Sequence, residues 1–223
     1  MNFFLFYPLK PTPAAGFKFF IFLSMSSFKY ILFYKPFQVL SQFSKEGDKK
    51  TLADFLSGLE KNIYPVGRLD YDSEGLLLLT NDTSLNQKLL HPKHAHQKTY
   101  WVQVEGQAQN QDLLELQKGV TISVNGKTHK TAPAKAYVLD KIPEVPERNP
   151  PIRFRKEIPT TWLSITIGEG KNRQVRKMTA AIGFPTLRLI RVAIGNITIG
   201  DLQPGTYRTL DLNEVKLLMQ KAM

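Results

Sequence analysis

The chain has 223 residues, 42% of them hydrophobic, which is enough for one core or for two small lobes that share a cleft. Lysine and arginine total 30 against 19 acidic residues, and the net charge of +11 favours a polyanionic partner. We find no basic amphipathic helix and no apolar run near the ~20 residues of a membrane helix, so we expect nucleic acid rather than a membrane. The absence of cysteine excludes disulfides, thiolate nucleophiles and cysteine-bound metals, and it suits a reducing cytoplasm.

The first 24 residues differ from the rest of the chain. They are rich in aromatic side chains, contain three prolines, and carry no charge before Lys10. A signal peptide has a basic start and one continuous apolar stretch, which this segment lacks. Met25 begins a more ordinary start. We therefore predict that residues 1–27 are a disordered or mis-assigned extension and that the organised domain begins at residue 28.

From residue 28 onward, the hydrophobic pattern predicts short strands alternating with short helices. The predicted elements of the first half, in chain order, are a strand over 30–34, a short helix opened by the capping-box spacing of Thr51 and Asp54, a buried strand over 75–80, a helix from Asp82 to near Leu90, a strand over 99–105 and a helix over 111–118. The second half is predicted to contain a hairpin over 120–131 around Asn125-Gly126, a strand carrying Leu163, Ile165 and Ile167 on one face, a helix over 172–182, strands over 187–194 and 196–199, and a helix from Asn213.

Hairpins mixed with isolated helices predict an α+β fold with a largely antiparallel sheet. No glycine-rich turn follows a first strand, which excludes the Rossmann and P-loop folds. Residues 141–159 are proline-rich and charged, and we expect a surface excursion there.

Three of the four histidines, His91, His94 and His96, lie close together in the segment HPKHAH. Pro92 prevents a helix there, and the flanking residues are lysines rather than carboxylates. A solvated loop fits this pattern better than a metal site, so we assign no metal.

The segment 64–82 carries the most informative chemistry. A polar loop holding Arg68, Asp70, Asp72 and Glu74 runs directly into the predicted buried strand. Catalytic groups are often placed on loops that a rigid element fixes. A charged turn that only keeps a hairpin soluble has the same spacing, so spacing alone leaves both interpretations open.

The segment GRLDYDSEGLLLLTND, residues 67–82, resembles the signature of the RsuA-type family of rRNA pseudouridine synthases. Three further segments match that family in the same order, at 35–40, 98–106 and 169–191. Residues 148–162 are similar to the large-subunit synthase E branch of the family. That branch lacks the N-terminal RNA-binding S4 domain of its relatives, and no such domain fits here before Tyr30.

The resemblance implies a pseudouridine synthase fold, with a mixed and largely antiparallel sheet flanked by helices around a central active-site cleft. It implies one catalytic domain over 28–215, with 216–223 as a helix end and tail. The expected activity is isomerisation of one uridine in large-subunit (23S) ribosomal RNA by a cytoplasmic monomer. The reaction has no redox change and gains no group, so we expect no cofactor.

The resemblance also assigns catalytic roles. Asp70 would be the catalytic carboxylate, acting either as a nucleophile at C1′ or as a base at C2′, and the sequence does not choose between them. A buried carboxylate needs a cationic partner, and the resemblance implies that Arg176 pairs with Asp70. Tyr100 would pack against the uracil. From the residues alone, an exposed basic helix face and an ordinary core tyrosine remain open.

The expected RNA contacts are basic. Arg68 would fill the gap left by the extruded base or contact its phosphate. Six basic and no acidic residues lie between Lys171 and Gly200, which predicts a phosphate-binding surface. Its members would be Lys171, Arg173, Lys177, Arg188 and Arg191. Two rival classes remain: a non-catalytic RNA-binding protein, which charge alone favours equally, and a glycoside hydrolase that uses Asp70 and Glu74 as an acid–base pair.

Overall fold

The computed structural model describes residues 28–91, 96–152 and 157–220. The strands are β1 (Tyr30–Lys35), β2 (Val39–Leu40), β3 (Lys50–Thr51), β4 (Tyr64–Pro65), β5 (Glu74–Thr80), β6 (Lys98–Glu105), β7 (Thr121–Val124), β8 (Lys127–Lys130), β9 (Lys135–Val138), β10 (Thr160–Ile167), β11 (Thr186–Ile194), β12 (Ile197–Thr198) and β13 (Tyr207–Thr209). The helices are α1 (Thr83–Leu90), α2 (Leu114–Lys118), α3 (Gln174–Ala181) and α4 (Leu212–Met219), with 3-10 turns at Leu52–Asp54 and Asn110–Leu113.

One large sheet organises the fold, with the strand order β13-β1-β5-β11-β6-β10-β9. Its neighbouring strands are antiparallel except β5 and β11, which run parallel. β4 pairs with β5, and β12 pairs with β11. The hairpin of β7 and β8 stands apart from this sheet. The predicted α+β class with a largely antiparallel sheet is confirmed.

Strand β5 explains the run of leucines in the sequence. Successive side chains of a strand point to opposite faces of the sheet. Leu76 and Leu78 pack into one core cluster, with helices α1 and α4. Leu77 and Leu79 pack into another, with Ile31 and neighbouring residues. Because both faces are covered, the strand reads as a continuous apolar run instead of an alternating pattern.

The local signals of the sequence place the turns correctly. Asp82 begins α1, and its carboxylate accepts from the backbone N–H groups of Ser84 and Leu85 at 2.9 and 3.1 Å. Asn125 and Gly126 both have positive φ in the predicted hairpin. The predicted helix after Thr51 is shorter than expected, a single 3-10 turn.

Gly75 permits the close approach of β5 and β11. It pairs with Arg191 across the parallel junction and has a φ of 102°. A Cβ atom at this position would lie 2.3 Å from the carbonyl oxygen of Arg191. Only glycine therefore fits here, and the polar loop before β5 is held close to Ile190 and Arg191 of β11.

The C-terminal helix packs into the core. Leu218, near the end of α4, is buried with Leu210 and Ile197, so this part of the predicted tail packs into the fold. Residues 1–27 and 221–223 lie outside the described residues. Within the described ranges, no helix is long and apolar enough to cross a membrane.

Candidate active site

A cleft of about 370 Å³ lies beside the polar loop. Its walls are the loop before β5, the start of β6, the segment between β10 and α3, and part of β11. Six of the nine predicted site residues line it: Arg68, Asp70, Tyr100, Lys171, Arg173 and Arg191. The structure thus brings most of the predicted site into one cleft.

Hydrogen bonds to the backbone of the loop fix it on both sides of Asp70. The Ser41 hydroxyl donates to the carbonyl of Leu69 at 2.9 Å and accepts from its N–H at 3.1 Å. The backbone N–H of Gln38 donates to the carbonyl of Tyr71 at 2.9 Å. Within the loop, the N–H of Ser73 donates to the carbonyl of Asp70 at 3.0 Å. Gln38 and Ser41, which lie directly before and after β2, therefore position the loop that carries the predicted catalytic carboxylate.

Two arginines bind Asp72: Arg173, just before α3, and Arg176, within it. Arg173 donates two hydrogen bonds to its carboxylate, at 2.7 and 2.8 Å. Arg176 donates from Nη2 to the backbone carbonyl of Asp72 at 2.6 Å, and its Nε lies 3.4 Å from Oδ2 of the same residue. Although burial raises the pKa of Asp72, the hydrogen bonds from Arg173 and the charges of Arg176 and Arg173 lower it below its ordinary value.

This arrangement corrects the predicted ion pair between Arg176 and Asp70. The turn that follows Asp70 directs Asp72 towards α3, so Asp72 receives Arg176. Arg176 borders a second cavity of about 870 Å³ beyond Asp72 and is not among the residues that line the first cleft. It still lies close enough to Asp70 for their charges to interact. Arg176 therefore holds the loop that carries Asp70.

Arg173 adopts an unusual backbone conformation. It precedes α3 with a φ of 52°, in the left-handed region that residues other than glycine seldom occupy. Strained conformations of this kind persist where surrounding contacts enforce them. The paired hydrogen bonds to Asp72 supply such contacts, and they occupy the guanidinium that the sequence suggested for a phosphate.

Tyr100 lies on β6 and faces the cleft. It is 8% exposed and pairs across the sheet with Arg191 of β11. Arg191 was predicted on the phosphate-binding surface, but it is buried on the cleft side of the sheet, where its Nε donates to the carbonyl of Leu76 at 2.6 Å. Its place is within the cleft.

The prediction that Arg188 lies on the phosphate-binding surface is wrong. Its side chain is 6% exposed and donates two hydrogen bonds to Glu74, at 2.8 and 2.7 Å. It also donates to the carbonyl of Pro146, in the proline-rich excursion, at 2.8 Å. Arg188 turns inwards because Glu74, across the parallel junction, offers the charge that a buried guanidinium requires.

The remaining basic residues differ in exposure. Arg68 and Lys171 are exposed at the rim of the cleft. Lys177 is half-buried on α3 and is not among the residues that line either cavity.

Sequence reasoning missed Lys35, whose side chain is fully buried beneath the loop. Its ammonium donates to the carbonyls of Pro36 and Val39 at 2.9 and 2.7 Å. Burial lowers its pKa to about 7, although the charges of Glu74, Asp72 and Asp70 oppose that shift. The segment 35–40 already resembled the family, but nothing in its residue types predicts a buried ammonium.

A second missed group is Glu169, at the wall of the cleft. Its carboxylate accepts from the side-chain amide of Gln174 at 2.6 Å and from the backbone N–H of Ala132 at 2.8 Å, and lies 3.1 Å from the ring of His129. These contacts join the β7–β8 hairpin to the start of α3.

Of the predicted histidine loop, His91 and His96 border the cleft and His94 lies outside the described residues. In the described parts of the chain, no three histidine or carboxylate side chains are grouped so that they could hold a metal ion.

A mixed sheet, a polar loop entering its buried strand, and a cleft with an aspartate and a tyrosine are the features that the sequence resemblance implies for a pseudouridine synthase. The family model described as RNA pseudouridylate synthase matches residues 29–181, and the chain belongs to this family. A solved structure described as a crystal structure of pseudouridylate synthase matches with a TM-score of 0.68 and 28% identity, over 86% of this chain and 74% of that one.

Two relatives show which branch of the family this chain resembles. Ribosomal large subunit pseudouridine synthase E of Vibrio parahaemolyticus is 56% identical over 184 residues, which cover 82% of this chain and 74% of that protein. The protein of the same name from Xanthomonas campestris pv. campestris is 49% identical over 188 residues, covering 83% of this chain and 97% of that protein. The predicted similarity to the synthase E branch is confirmed.

Proposed function

We propose that this protein isomerises a uridine of large-subunit (23S) ribosomal RNA to pseudouridine, with Asp70 as the catalytic carboxylate. The observation that carries the proposal is the position of Asp70, on a loop fixed by Ser41 and Gln38 and in one cleft with Tyr100. The relatives named for this reaction on the large subunit cover most of the chain.

The surroundings of the three acidic residues distinguish Asp70 from its neighbours. Glu74 is bound by Arg188 in the interior, and Asp72 is bound by Arg173. Asp70 lines the cleft, and the charges of three cations, Lys35, Arg173 and Arg176, interact with it. Of the three acidic residues, Asp70 is therefore the one that a substrate in the cleft can reach.

The chemistry requires a carboxylate and no additional reagent. The bond from uracil N1 to ribose C1′ breaks, the base turns, and C5 joins C1′. Asp70 serves either as a nucleophile at C1′ or as a base at C2′. Atoms and oxidation state are the same before and after, so the reaction needs no cofactor. Tyr100 would stack on the uracil, an interaction worth about 1–3 kcal/mol per base.

The RNA would approach across the basic rim. Arg68 and Lys171 are exposed there. Arg68, two residues before Asp70, would occupy the gap left by the extruded base. Lys177, farther along α3, would contact a phosphate outside the cleft. Phosphate contacts of this kind hold the RNA in register without selecting its sequence.

The organisation of the chain completes the proposal. We place the catalytic domain at residues 28–219, since helix α4 continues past residue 215 and buries Leu218. We expect it to act as a monomer in the cytoplasm, with residues 1–24 dispensable.

The two rival functions are less well supported. A glycoside hydrolase would need a second free carboxylate near Asp70, but Glu74 is engaged with Arg188. A non-catalytic RNA-binding protein would have no need of an aspartate held in a cleft beside a tyrosine.

The test is pseudouridine formation by the purified chain on large-subunit and small-subunit rRNA transcripts, after dialysis against a chelator and without added cofactor. We expect one modified uridine in the large-subunit transcript and none in the other. RNA binding without any pseudouridine would favour the non-catalytic alternative, and release of free uracil would favour the hydrolase. Mapping the modification in a gene-deletion strain identifies the target nucleotide.

A further inference from the structure

Two cations lie on the sheet side of the cleft, next to Tyr100. Lys98 and Tyr100 are two residues apart on β6, so their side chains point to the same face of the sheet. Arg191 is the partner of Tyr100 on the neighbouring strand β11. Both cations line the cleft that also contains Asp70. The role assigned to Asp70 does not involve either of them.

Arg191 has an unused hydrogen-bond donor. The residue is 4% exposed, and its Nε donates to the carbonyl of Leu76. Among the described residues, none accepts a hydrogen bond from its buried Nη2. An unsatisfied buried donor costs about 1–3 kcal/mol, and more when the group is charged. Native proteins seldom leave such a donor unpaired unless it has a functional partner. Nη2 of Arg191 is therefore available to donate to an acceptor that enters the cleft.

Lys98 adds a second positive charge at the same place. Its ammonium donates to the carbonyl of His96 at 2.9 Å. An ammonium has three donors, so this bond leaves capacity for a ligand. Burial and, to a smaller extent, the nearby charge of Arg191 together lower the pKa of Lys98 to about 8. Two like charges held together in a cleft favour a ligand that carries negative charge on acceptor atoms.

We infer that Lys98 and Arg191 are further catalytic residues, which bind the carbonyl edge of the uracil and stabilise the negative charge of the detached base. This inference rests on the proposed function. Asp70 enters the cleft from the loop, whereas the two cations rise from the sheet. A uridine whose ribose lies against Asp70 therefore turns its base towards the cations, with Tyr100 beside the ring.

The charge on the base follows from the electron balance of the reaction. When the C1′–N1 bond breaks, its electron pair leaves with the uracil, whether Asp70 bonds to C1′ or removes the C2′ proton. The anion spreads its charge over N1 and the carbonyl oxygens. When C5 then bonds to C1′, Asp70 is released or returns its proton to C2′. C5 loses a proton and N1 gains one, so no other reactant takes part. Donors that bind this charge as it develops in the transition state accelerate the chemical step.

The first experiment compares Lys98→Met with the wild-type protein in single-turnover reactions on the large-subunit transcript. We expect a rate loss on the order of 100-fold, similar to removal of one oxyanion-hole donor, with RNA affinity nearly unchanged. Lys98→Arg keeps the charge and should recover part of the rate, which a merely structural role would not predict. Lys61→Met, at an exposed lysine that does not line the cleft, is the matched control and should match the wild type.

The second experiment changes the substrate. Sulfur accepts hydrogen bonds weakly, so a transcript with 2-thiouridine or 4-thiouridine at the target should react more slowly with the wild-type protein. If Lys98 binds the replaced oxygen, the same sulfur causes little further loss in Lys98→Met. This non-additivity is the signature of direct contact.

The outcomes separate the inference from the function on which it rests. A wild-type protein that forms no pseudouridine overturns both. An active wild-type protein with a fully active Lys98→Met variant overturns the inference alone. Loss of RNA affinity at an unchanged single-turnover rate would make Lys98 a phosphate contact. If each thiouridine slows Lys98→Met by the same factor as it slows the wild-type protein, Lys98 does not contact the base. Either result overturns the inference.

Discussion

Arg173 and Asp72, 101 residues apart in the chain, are joined by two hydrogen bonds between the guanidinium and the carboxylate. The pair fastens helix α3 to the loop that carries Asp70. A bidentate pair fixes orientation as well as distance. The loop is thus held from one side by Arg173 and Arg176 and from the other by Ser41 and Gln38.

We expect the Asp72 contacts to make stability depend on acid pH. The pKa of Asp72 is lowered in the folded protein, so its contribution is present above the unfolded value of about 3.9 and is lost as the pH falls through the folded value. Asp72→Asn should lower Tm at neutral pH, and its difference from the wild type should shrink below about pH 4. Thermal melts across pH 3–7, with the exposed Asp48→Asn as control, measure this. A constant Tm difference over that range would contradict it.

The buried Glu74–Arg188 pair should be costly to break from one side. Glu74→Gln leaves the guanidinium of Arg188 without its countercharge in the interior, and we expect a loss of about 3–5 kcal/mol in the free energy of unfolding. The double variant Glu74→Leu with Arg188→Met removes both charges and should recover most of that loss. Urea unfolding curves of the three proteins test this. A double variant that is less stable than the single one would show that the pair is net stabilising.

Gly75→Ala should destabilise the parallel junction. A Cβ atom would lie 2.3 Å from the carbonyl oxygen of Arg191, and the φ of 102° is unfavourable for alanine. The strands must separate, and we expect a loss of more than about 2 kcal/mol, together with reduced activity. Gly58→Ala is the matched control, since no atom lies within 4 Å of its added carbon. Equal stability of the two variants would contradict the tight junction.

Ser41→Ala tests the fastening of the loop. It removes both hydrogen bonds to the backbone of Leu69, next to Asp70. Because the hydroxyl contacts the backbone and not the substrate, we expect RNA affinity to stay constant. We expect kcat to fall about tenfold, which corresponds to about 1.4 kcal/mol lost through poorer orientation of Asp70. Steady-state kinetics and binding assays check this, with the exposed Ser44→Ala as control. An unchanged kcat would show that the loop is fixed without Ser41.

The sequence predicted local features well because their signals lie within a few residues. The leucine run of β5, the Asp82 cap and the Asn125-Gly126 turn each depend on neighbours in the chain. Interactions between distant segments were not predictable in the same way. Arg188 lies in a stretch without acidic residues and was expected at the surface, yet its partner Glu74 is 114 residues away.

The candidate site shows the same contrast between local signals, which the sequence predicts, and contacts between distant segments, which it does not. The resemblance located Asp70 and Tyr100, which share the cleft. It did not locate Ser41, whose role depends on the distance between two loops, because a single serine in a polar segment has no distinctive pattern. Arg176 was expected to pair with Asp70, but the turn after Asp70 directs Asp72 towards it, and a turn direction is not encoded in residue spacing.

The most direct test of the central claim is the single-turnover rate of Asp70→Asn on the large-subunit transcript, measured together with RNA affinity and Tm. The amide keeps the size of the side chain but can act neither as a nucleophile nor as a base. We predict no detectable pseudouridine, with RNA affinity and Tm close to those of the wild type. A variant that forms pseudouridine at a rate near that of the wild type would contradict the assignment of Asp70.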